Sequence, residues 1–293
     1  MRVEVECASC VLYRGFLEIK KATNNSSIQF EAMSALTSFL AKEFKLTAVP
    51  AHLGTERDRL IKKITGNPDP YTKTKQASNR KALEILPLAK NLISSESPAE
   101  SRFRKACLCA IVGNVIEFDI PDHTFRFEDI VKLVQRAEKD LVLDEISKIF
   151  NKSRKAKRIL YLTDNAGEIA FDTLLVHELK ELGAHVTVAV KDKPVINDAT
   201  MEDARYVGMH HVADALITTG TDAVGMVPEE CSKEFLNVYN HAELVVAKGM
   251  GYAETLTEVD LKSPHAMLLR TKCRPVANFF HVDIEKNVAK LMF

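Results

Sequence analysis

Short apolar segments alternate with helix-forming patterns throughout the second half of the chain, and this alternation limits the possible folds more than any other feature. The apolar segments are RILYLT, HVTVAV, ALITT, ELVVAK and AMLLRT. A helix pattern of about fifteen residues, ending at Gly183, joins the first two into a β-α-β unit. Such units give parallel strands with right-handed crossovers, and strands this apolar are covered on both faces. We therefore predict an α/β fold with three layers, α/β/α, around a mostly parallel sheet.

The first half of the chain reads as helices. In the segment SIQFEAMSALTSFLAKEF, apolar residues recur on one helical face, namely Met33, Leu36, Phe39, Leu40 and Phe44. The segment PAHLGTERDRLIKKITG ends at Gly66, which predicts a helix C-cap. The basic stretch NKSRKAKR at residues 151–158 has no apolar period and reads as a solvated connector. We therefore predict an N-terminal all-helical domain at residues 1–152, followed by the α/β domain at residues 153–293.

Composition excludes several classes of protein. The chain has 293 residues, of which 46% are hydrophobic and 27% charged, as in ordinary globular proteins of two domains. A net charge of +0 argues against a nucleic-acid polymer or an acidic membrane surface as partner. The start, MRVEVECASC, lacks the apolar core of a signal peptide, and no run of about eighteen apolar residues predicts a membrane span. We therefore expect a cytoplasmic protein whose six cysteines are reduced.

Polar residues follow each of the five predicted strands. Ligands of open parallel sheets bind beyond the carboxyl ends of the strands. In chain order, the five following segments are Asp164–Glu168, Lys191–Thr200, Gly220–Gly225, Lys248–Glu254 and Lys272–Cys273. A single polar segment would carry no weight, but five that converge on one edge of a sheet predict a binding site.

The residue types in these segments describe the ligand. Asp164, Asn165 and Asp198 offer the hard oxygen atoms that Mg²⁺, Mn²⁺ and similar ions prefer. Lys248 and Lys272 add positive charge. Glycines there let backbone N–H groups approach an anion, and they are Gly220, Gly225, Gly249 and Gly251. A metal ion, lysines and backbone amides together match a phosphate group.

Each of these residues also has a plainer interpretation. Asp164, Asn165 or Asp198 could simply cap the helix that follows, and Lys248 alone would more often be a surface lysine. Other sites are not supported, because the chain has neither G-x-G-x-x-G after the first strand nor G-x-x-x-x-G-K-[ST]. A haloacid-dehalogenase-type phosphatase would need an acid two residues after Asp164, where Ala166 stands. Only the joint placement favours a phosphate site.

Taken together, the segments DNAGEIAFD, KPVINDAT, KGMGYAE and KC resemble the DUF89 family of damage-control phosphatases, and within it the nucleotide-phosphatase subfamily I. The C-x-x-C of Cys7 and Cys10 and the pair Gly113-Asn114 belong to the resemblance. A Gly-Asn-Phe-Glu-like motif of the family falls on Gly251–Glu254, where only Gly251 and Glu254 are kept. The Lys-Cys motif falls on Lys272 and Cys273.

The resemblance implies a metal-dependent phosphatase that acts on small phosphorylated metabolites, such as damaged nucleotides or sugar phosphates. The divalent ion, Mn, Ni, Co or Mg, is expected on Asp164, Asn165 and Asp198. Phosphate is expected on Lys248, Lys272 and the amides of Gly249 and Gly251, with Asn114 of the helical domain near the cleft. The nucleophile is a metal-bound water or Asp164 itself, and the general acid-base group is Glu254 or Glu168.

Two further questions stay open at the level of sequence. Cys7 and Cys10, with Cys107 and Cys109, have a spacing that could bind zinc, although buried inert thiols are the commoner outcome. Two other functions compete with the phosphatase. One is a sensor that binds a phosphometabolite without turnover, and the other is a small-molecule methyltransferase, which would need a more glycine-rich first loop than DNAGE.

Overall fold

The computed structural model describes residues 1–113 and 126–293. Before the first strand, these residues form six helices. They are α1 (Val5–Ala22), α2 (Ser26–Glu43), α3 (Pro50–Thr65), α4 (Thr72–Ser94), α5 (Ala99–Val112) and α6 (Phe127–Lys139). Gly66 ends α3 with φ of +68°, a left-handed conformation that confirms the predicted C-cap. On α2, the buried residues Ala32, Leu36 and Leu40 lie on the predicted apolar face.

Strands and helices alternate through the rest of the described chain. The strands are β1 (Leu141–Asp144), β2 (Arg158–Leu162), β3 (His185–Val190), β4 (Ala215–Thr218), β5 (Leu244–Lys248), β6 (His265–Arg270) and β7 (Asn287–Met292). The helices between them are α7 (Ile146–Ser153), α8 (Glu168–Glu181), α9 (Met201–Tyr206), α10 (Met209–Val212), α11 (Lys233–His241), α12 (Gly249–Leu256) and α13 (Arg274–Phe280). All five predicted strands are therefore confirmed, as β2 to β6. Sequence reasoning missed strands β1 and β7.

The seven strands form one sheet in the order β1-β7-β6-β5-β2-β3-β4. Strands β6, β5, β2, β3 and β4 run parallel to one another, whereas β7 is antiparallel to β6 and parallel to β1. Strand β3 lies on one side of β2, and β5 lies on the other side. The strand order therefore reverses between β2 and β5. A reversal of this kind opens a crevice at the carboxyl ends of the two strands, where open sheets bind ligands.

Helices cover both faces of the sheet, as the three-layer prediction requires. Along β2, Ile159 and Tyr161 enter the core shared with α4, α5 and α8. The alternating residues Leu160 and Leu162 enter a second core with α11, α12 and α13. This alternation follows from the two-residue period of a strand. A third, smaller cluster, which includes Leu36, holds α1, α2 and α3 together.

Packing continues across the predicted domain boundary between residues 152 and 153. Strand β1 and helix α7 precede that boundary, yet β1 belongs to the sheet and Phe150 of α7 lies in the same core as Ile159 of β2. The division of the chain into residues 1–152 and 153–293 stays a prediction. Within residues 1–113 and 126–293, no helix combines the length and apolar content needed to cross a membrane.

Phe103 tests the core that both parts of the chain share. Its side chain on α5 is 1% exposed, and its ring centroid lies 5.4 Å from that of Phe150. Phe103→Ala should lower the free energy of unfolding by about 3–5 kcal/mol, because it removes buried surface and leaves a cavity. Urea unfolding followed by circular dichroism measures the change. The matched control is Phe30→Ala, since Phe30 is 79% exposed and should lose less than about 0.5 kcal/mol. Equal losses in the two variants would contradict the packing.

Candidate active site

Two loops at the carboxyl edge of the sheet carry the three predicted metal ligands. Asp164 and Asn165 follow β2, and Asp198 lies in the loop that follows β3. Backbone pairing joins the loops, because Asn165 and Asp198 form an isolated antiparallel bridge. The Ala166 N–H donates to the Asn197 carbonyl at 2.9 Å, and the Ala199 N–H donates to the Asp164 carbonyl at 2.8 Å. The structure thus brings together three residues that stand more than thirty positions apart at the extremes.

The amide of Asn165 is oriented by carboxylates. Its Nδ2 donates to Asp164 Oδ2 at 2.9 Å and to Glu168 Oε2 at 3.0 Å. Carboxylate oxygens accept hydrogen bonds and cannot donate them, so the NH₂ group must face these two partners. The amide oxygen of Asn165 is therefore the atom that remains to bind a cation. Glu168, which begins α8, is 1% exposed and controls this orientation.

Lys248 is buried below the two loops that carry Asp164, Asn165 and Asp198. The sequence predicts that it contacts phosphate, but its side chain is placed differently. Its side chain is 0% exposed. Its Nζ donates to Glu168 Oε1 at 2.6 Å, to Asp172 Oδ1 at 2.7 Å and to the Ala110 carbonyl at 2.9 Å. Burial alone would lower the pKa of Lys248, but Asp172 and Glu168 outweigh it and hold that pKa above its ordinary value. The ammonium therefore balances two carboxylates, and a phosphate contact stays a prediction that this placement does not favour.

Lys191, the first residue after β3, is a member of the site that sequence reasoning missed. Its side chain is buried, and its Nζ donates to the Gly225 carbonyl at 2.7 Å. The same Nζ lies 3.9 Å from Asp198 Oδ2 and 4.7 Å from the centroid of the Tyr252 ring. Burial lowers the pKa of Lys191, whereas Asp198 and Asp164 oppose that shift. Its position at the end of a predicted strand, like that of Lys248, could have marked it as a site residue from the sequence.

Gly249 allows the carboxylate of Asp164 to approach the start of α12. A Cβ atom at position 249 would lie 1.9 Å from Asp164 Oδ2, and φ there is +82°. Both facts exclude an ordinary side chain at this position. Gly251 has another neighbour, since a Cβ there would lie 2.7 Å from Val224 Cγ1 in the loop after β4. The phosphate contacts predicted for the amides of these two glycines stay predictions.

The carboxylates of the site are electrostatically strained without a cation. Desolvation, followed by repulsion from Glu168 and Asp198, raises the pKa of Asp164 well above its ordinary value. Burial raises the pKa of Asp198 to about 6, although Lys191 opposes the shift. A divalent ion would relieve this repulsion, and two carboxylates with one amide oxygen suit Mg²⁺ or Mn²⁺. Within the described residues, no group of three or more His, Cys, Asp or Glu side chains is arranged to hold a metal, and the metal role of Asp164, Asn165 and Asp198 stays a prediction.

Two further predicted site residues, Lys272 and Glu254, lie on different elements. Lys272 follows β6 with an exposed side chain, and desolvation lowers its pKa although the charges of Glu168 and Asp164 oppose the shift. Glu254 lies on α12 among the N-terminal amine, the Ala51 N–H, Cys7 and Cys273. Burial raises the pKa of Glu254 to about 7. Its acid-base role stays a prediction, and Asn114 lies outside the described residues.

The cysteines do not form the four-thiolate zinc site that the spacing suggested. Cys7 packs in the small core of α1, α2 and α3, whereas Cys107 and Cys109 lie in the main core. No cysteine-containing group among residues 1–113 and 126–293 could hold a metal ion, so the zinc hypothesis is wrong. All six cysteines are free thiols. Burial raises the pKa of the Cys7 and Cys107 thiols, and that of Cys109 to about 12, which keeps them protonated and unreactive.

Comparisons with known proteins show which proteins this chain is similar to. Residues 3–288 match the family described as "Damage-control phosphatase ARMT1-like domain". A protein of Archaeoglobus fulgidus named "Damage-control phosphatase" is 35% identical over 100% of both chains. "Damage-control phosphatase PH1575" of Pyrococcus horikoshii is 35% identical over 94% of this chain and 93% of its own. The crystal structure of that DUF89 family protein matches with a TM-score of 0.87 and 34% identity, covering 99% of this chain and 98% of the other.

Lys248→Met tests the buried charge balance beneath the site. The variant keeps most of the side-chain volume but leaves Glu168 and Asp172 buried without their cation. We expect a loss of about 3–5 kcal/mol in the free energy of unfolding at pH 8, measured by urea denaturation. The loss should shrink as the pH is lowered toward about 5, because protonation removes the unbalanced negative charges.

The matched control for this prediction is Lys63→Met, which changes an exposed lysine on α3. It should alter the free energy of unfolding by less than about 0.5 kcal/mol at either pH. A Lys248→Met protein as stable as the wild type at pH 8 would show that Lys248 does not balance the two carboxylates.

Proposed function

The chain belongs to the damage-control phosphatase ARMT1-like domain family, also called DUF89, and from this premise we propose that it is a metal-dependent phosphomonoester hydrolase. Its substrates are small phosphorylated metabolites, and its role is to remove damaged or surplus phosphoesters, as the names of its relatives imply for them. The observation that supports the proposal best is the pairing of the Asp164-Asn165 loop with the Asp198 loop at the reversal point of the sheet. We also propose a cytoplasmic location, because all six thiols are free.

The residues of this chain can hold a divalent ion and prepare the site for it. The carboxylates of Asp164 and Asp198 and the amide oxygen of Asn165 would hold Mn, Ni, Co or Mg. When bound, the ion supplies charge neutralisation for phosphoryl oxygens and lowers the pKa of water. Asn in place of a third carboxylate limits the negative charge that would face a phosphate. Lys191, beside Asp198, offsets part of the remaining negative charge.

Lys272 is the lysine whose position suits contact with the phosphate group. It is exposed at the carboxyl edge of the sheet, and its charge interacts with those of Asp164 and Glu168. An ammonium there would attract a phosphate dianion and hold it beside the metal ligands. Lys248 is committed to its buried carboxylates and takes no part in this step.

Two roles remain divided between candidates. Both oxygens of Glu168 already accept hydrogen bonds, Oε1 from Lys248 and Oε2 from Asn165, so Glu168 serves better to orient Asn165 than to move a proton. Glu254, with a pKa raised to about 7, is the other acid-base candidate and would act at the side of the site near Cys273. The nucleophile is water or the Asp164 carboxylate, which abuts Gly249.

A phosphatase assay tests the proposal directly. Protein freed of metal with a chelator should release no phosphate from p-nitrophenyl phosphate, and added Mn²⁺, Ni²⁺, Co²⁺ or Mg²⁺ should restore turnover. Asp164→Ala and Asp198→Ala should each reduce turnover at saturating metal by at least about a hundredfold without unfolding the protein. Asp192→Ala is the matched control, since Asp192 is an exposed carboxylate of the same loop as Asp198 and should keep most activity. Tight metal and phosphate binding without turnover would instead favour a sensor.

Lys272→Met tests the phosphate contact apart from the metal. We expect catalytic efficiency to fall by roughly tenfold to a hundredfold, because a charge-assisted contact contributes about 1.5–3 kcal/mol. Inhibition by inorganic phosphate should weaken, whereas the affinity for Mn²⁺ should stay unchanged. Lys262→Met provides the control, because Lys262 is exposed before β6 and so lies at the opposite edge of the sheet. Wild-type phosphate inhibition in the Lys272 variant would remove this lysine from the site.

A further inference from the structure

Asn79 of α4 connects the two ligand loops through a single buried amide group. Its side chain is 3% exposed. Its Oδ1 accepts from the Gly167 N–H at 2.7 Å, and its Nδ2 donates to Asp203 Oδ1 at 2.7 Å. An N–H partner requires an acceptor and a carboxylate requires a donor, so these two partners fix which way the amide faces.

Each contact lies close to a metal ligand. Gly167 stands two residues after Asn165 and immediately before α8, with φ of +78°. Asp203 is the third residue of α9 and forms a capping box with the N-cap Thr200, whose N–H and Oγ1 donate to Asp203 Oδ2 at 2.9 and 2.7 Å. Thr200 stands two residues after Asp198. Asn79 therefore adds a side-chain link between the segment that carries Asn165 and the segment that carries Asp198, beside the backbone hydrogen bonds that already join them.

The loop that carries Asp198 needs support from outside. Ile196 has φ of +48°, a strained conformation for a β-branched residue, which persists only where neighbouring structure holds it. Asp58 of α3 provides one such contact, because its Oδ1 accepts from the Ile196 N–H at 3.0 Å. Lys75 of α4 provides another, with its Nζ 3.2 Å from Asp203 Oδ2. Two helices of the first half of the chain thus hold the Asp198 loop in place.

We propose that Asn79 is a positioning residue that sets the affinity of the site for its divalent ion. It does not touch the ion; it holds Gly167 and Asp203, and so supports the backbone pairing that keeps Asn165 and Asp198 together. The inference rests on the proposed metal-dependent function. It adds that a helix of the first half of the chain supports the geometry of the proposed metal ligands, Asn165 and Asp198. Outer contacts that orient metal ligands typically change affinity by about 10–100-fold when they are lost.

The test compares Mn²⁺ binding by isothermal titration calorimetry in the wild type and in Asn79→Ala. This substitution removes both hydrogen bonds without changing the net charge near the ion. We expect the dissociation constant for Mn²⁺ to rise about 10–100-fold, and turnover of p-nitrophenyl phosphate to recover most of its wild-type value at saturating Mn²⁺. If Asn79→Ala does not fold, Asn79→Ser, which is too short to reach both partners, replaces it with the same expectation.

A paired substitution provides the rescue. Asn79→Asp combined with Asp203→Asn exchanges the amide and the carboxylate and keeps the net charge. The new carboxylate can accept from the Gly167 N–H and from the new amide, whose oxygen can accept from Thr200. We therefore expect Mn²⁺ affinity within about threefold of the wild type, since both links are re-formed. Failure of the pair to bind Mn²⁺ better than Asn79→Ala would overturn the inference.

Tyr239→Phe controls for a general loss of stability. Its hydroxyl hydrogen-bonds His265 at 3.0 Å at the opposite edge of the sheet, so the variant should melt at a lower temperature yet bind Mn²⁺ like the wild type. Wild-type Mn²⁺ affinity in Asn79→Ala, with only a lower melting temperature, would show that Asn79 serves the fold alone. Absence of Mn²⁺ binding by the wild-type protein is a different outcome, which would overturn the proposed function and this inference with it.

Discussion

The buried ammonium of Lys248 is the interaction on which the site depends. It joins the end of β5 to the first turns of α8 through Glu168 and Asp172, and to α5 through the Ala110 carbonyl. Because an unpaired charge in a protein interior is costly, these three elements cannot separate without a large loss of free energy. Glu168 links this buried network to the loop after β2, since its other oxygen accepts from the Asn165 amide and orients it.

The ligand loops are therefore held from two directions. From below, Lys248 and Glu168 fix the Asn165 amide. From the side, Asp58 of α3 holds Ile196 in the loop after β3, and Asn79 of α4 links Gly167 in the loop after β2 to Asp203 of α9. Such a double support keeps Asp164 and Asp198 close together although their charges repel. In metal sites of proteins, outer contacts of this kind decide the precision of the inner ligands.

Local sequence patterns predicted the parts of the structure that depend on strand period and strand ends. The five apolar runs were confirmed as β2 to β6. Because parallel strands end at one edge of a sheet, the sequence also predicted that Asp164, Asn165 and Asp198 lie close together, and the bridge between Asn165 and Asp198 agrees. Strands β1 (LVLD) and β7 (NVAKLM) escaped prediction because polar residues interrupt them, such as Asn287 and Lys290 in β7, so neither forms a continuous apolar run. Cysteine spacing failed as a guide to zinc, since spacing says nothing of which core each helix enters.

The fold class, the sheet edge at which Asp164, Asn165 and Asp198 meet, and the family all follow from residue type and from spacing along the chain. How each side chain is used depends instead on contacts between segments that are distant in sequence. Lys248 and Lys272 both follow an apolar strand, yet one is buried between carboxylates and the other is exposed. Asn79 is an unremarkable helical residue in the sequence. Its part arises from long-range packing, more than eighty residues away from Gly167, which no local pattern encodes.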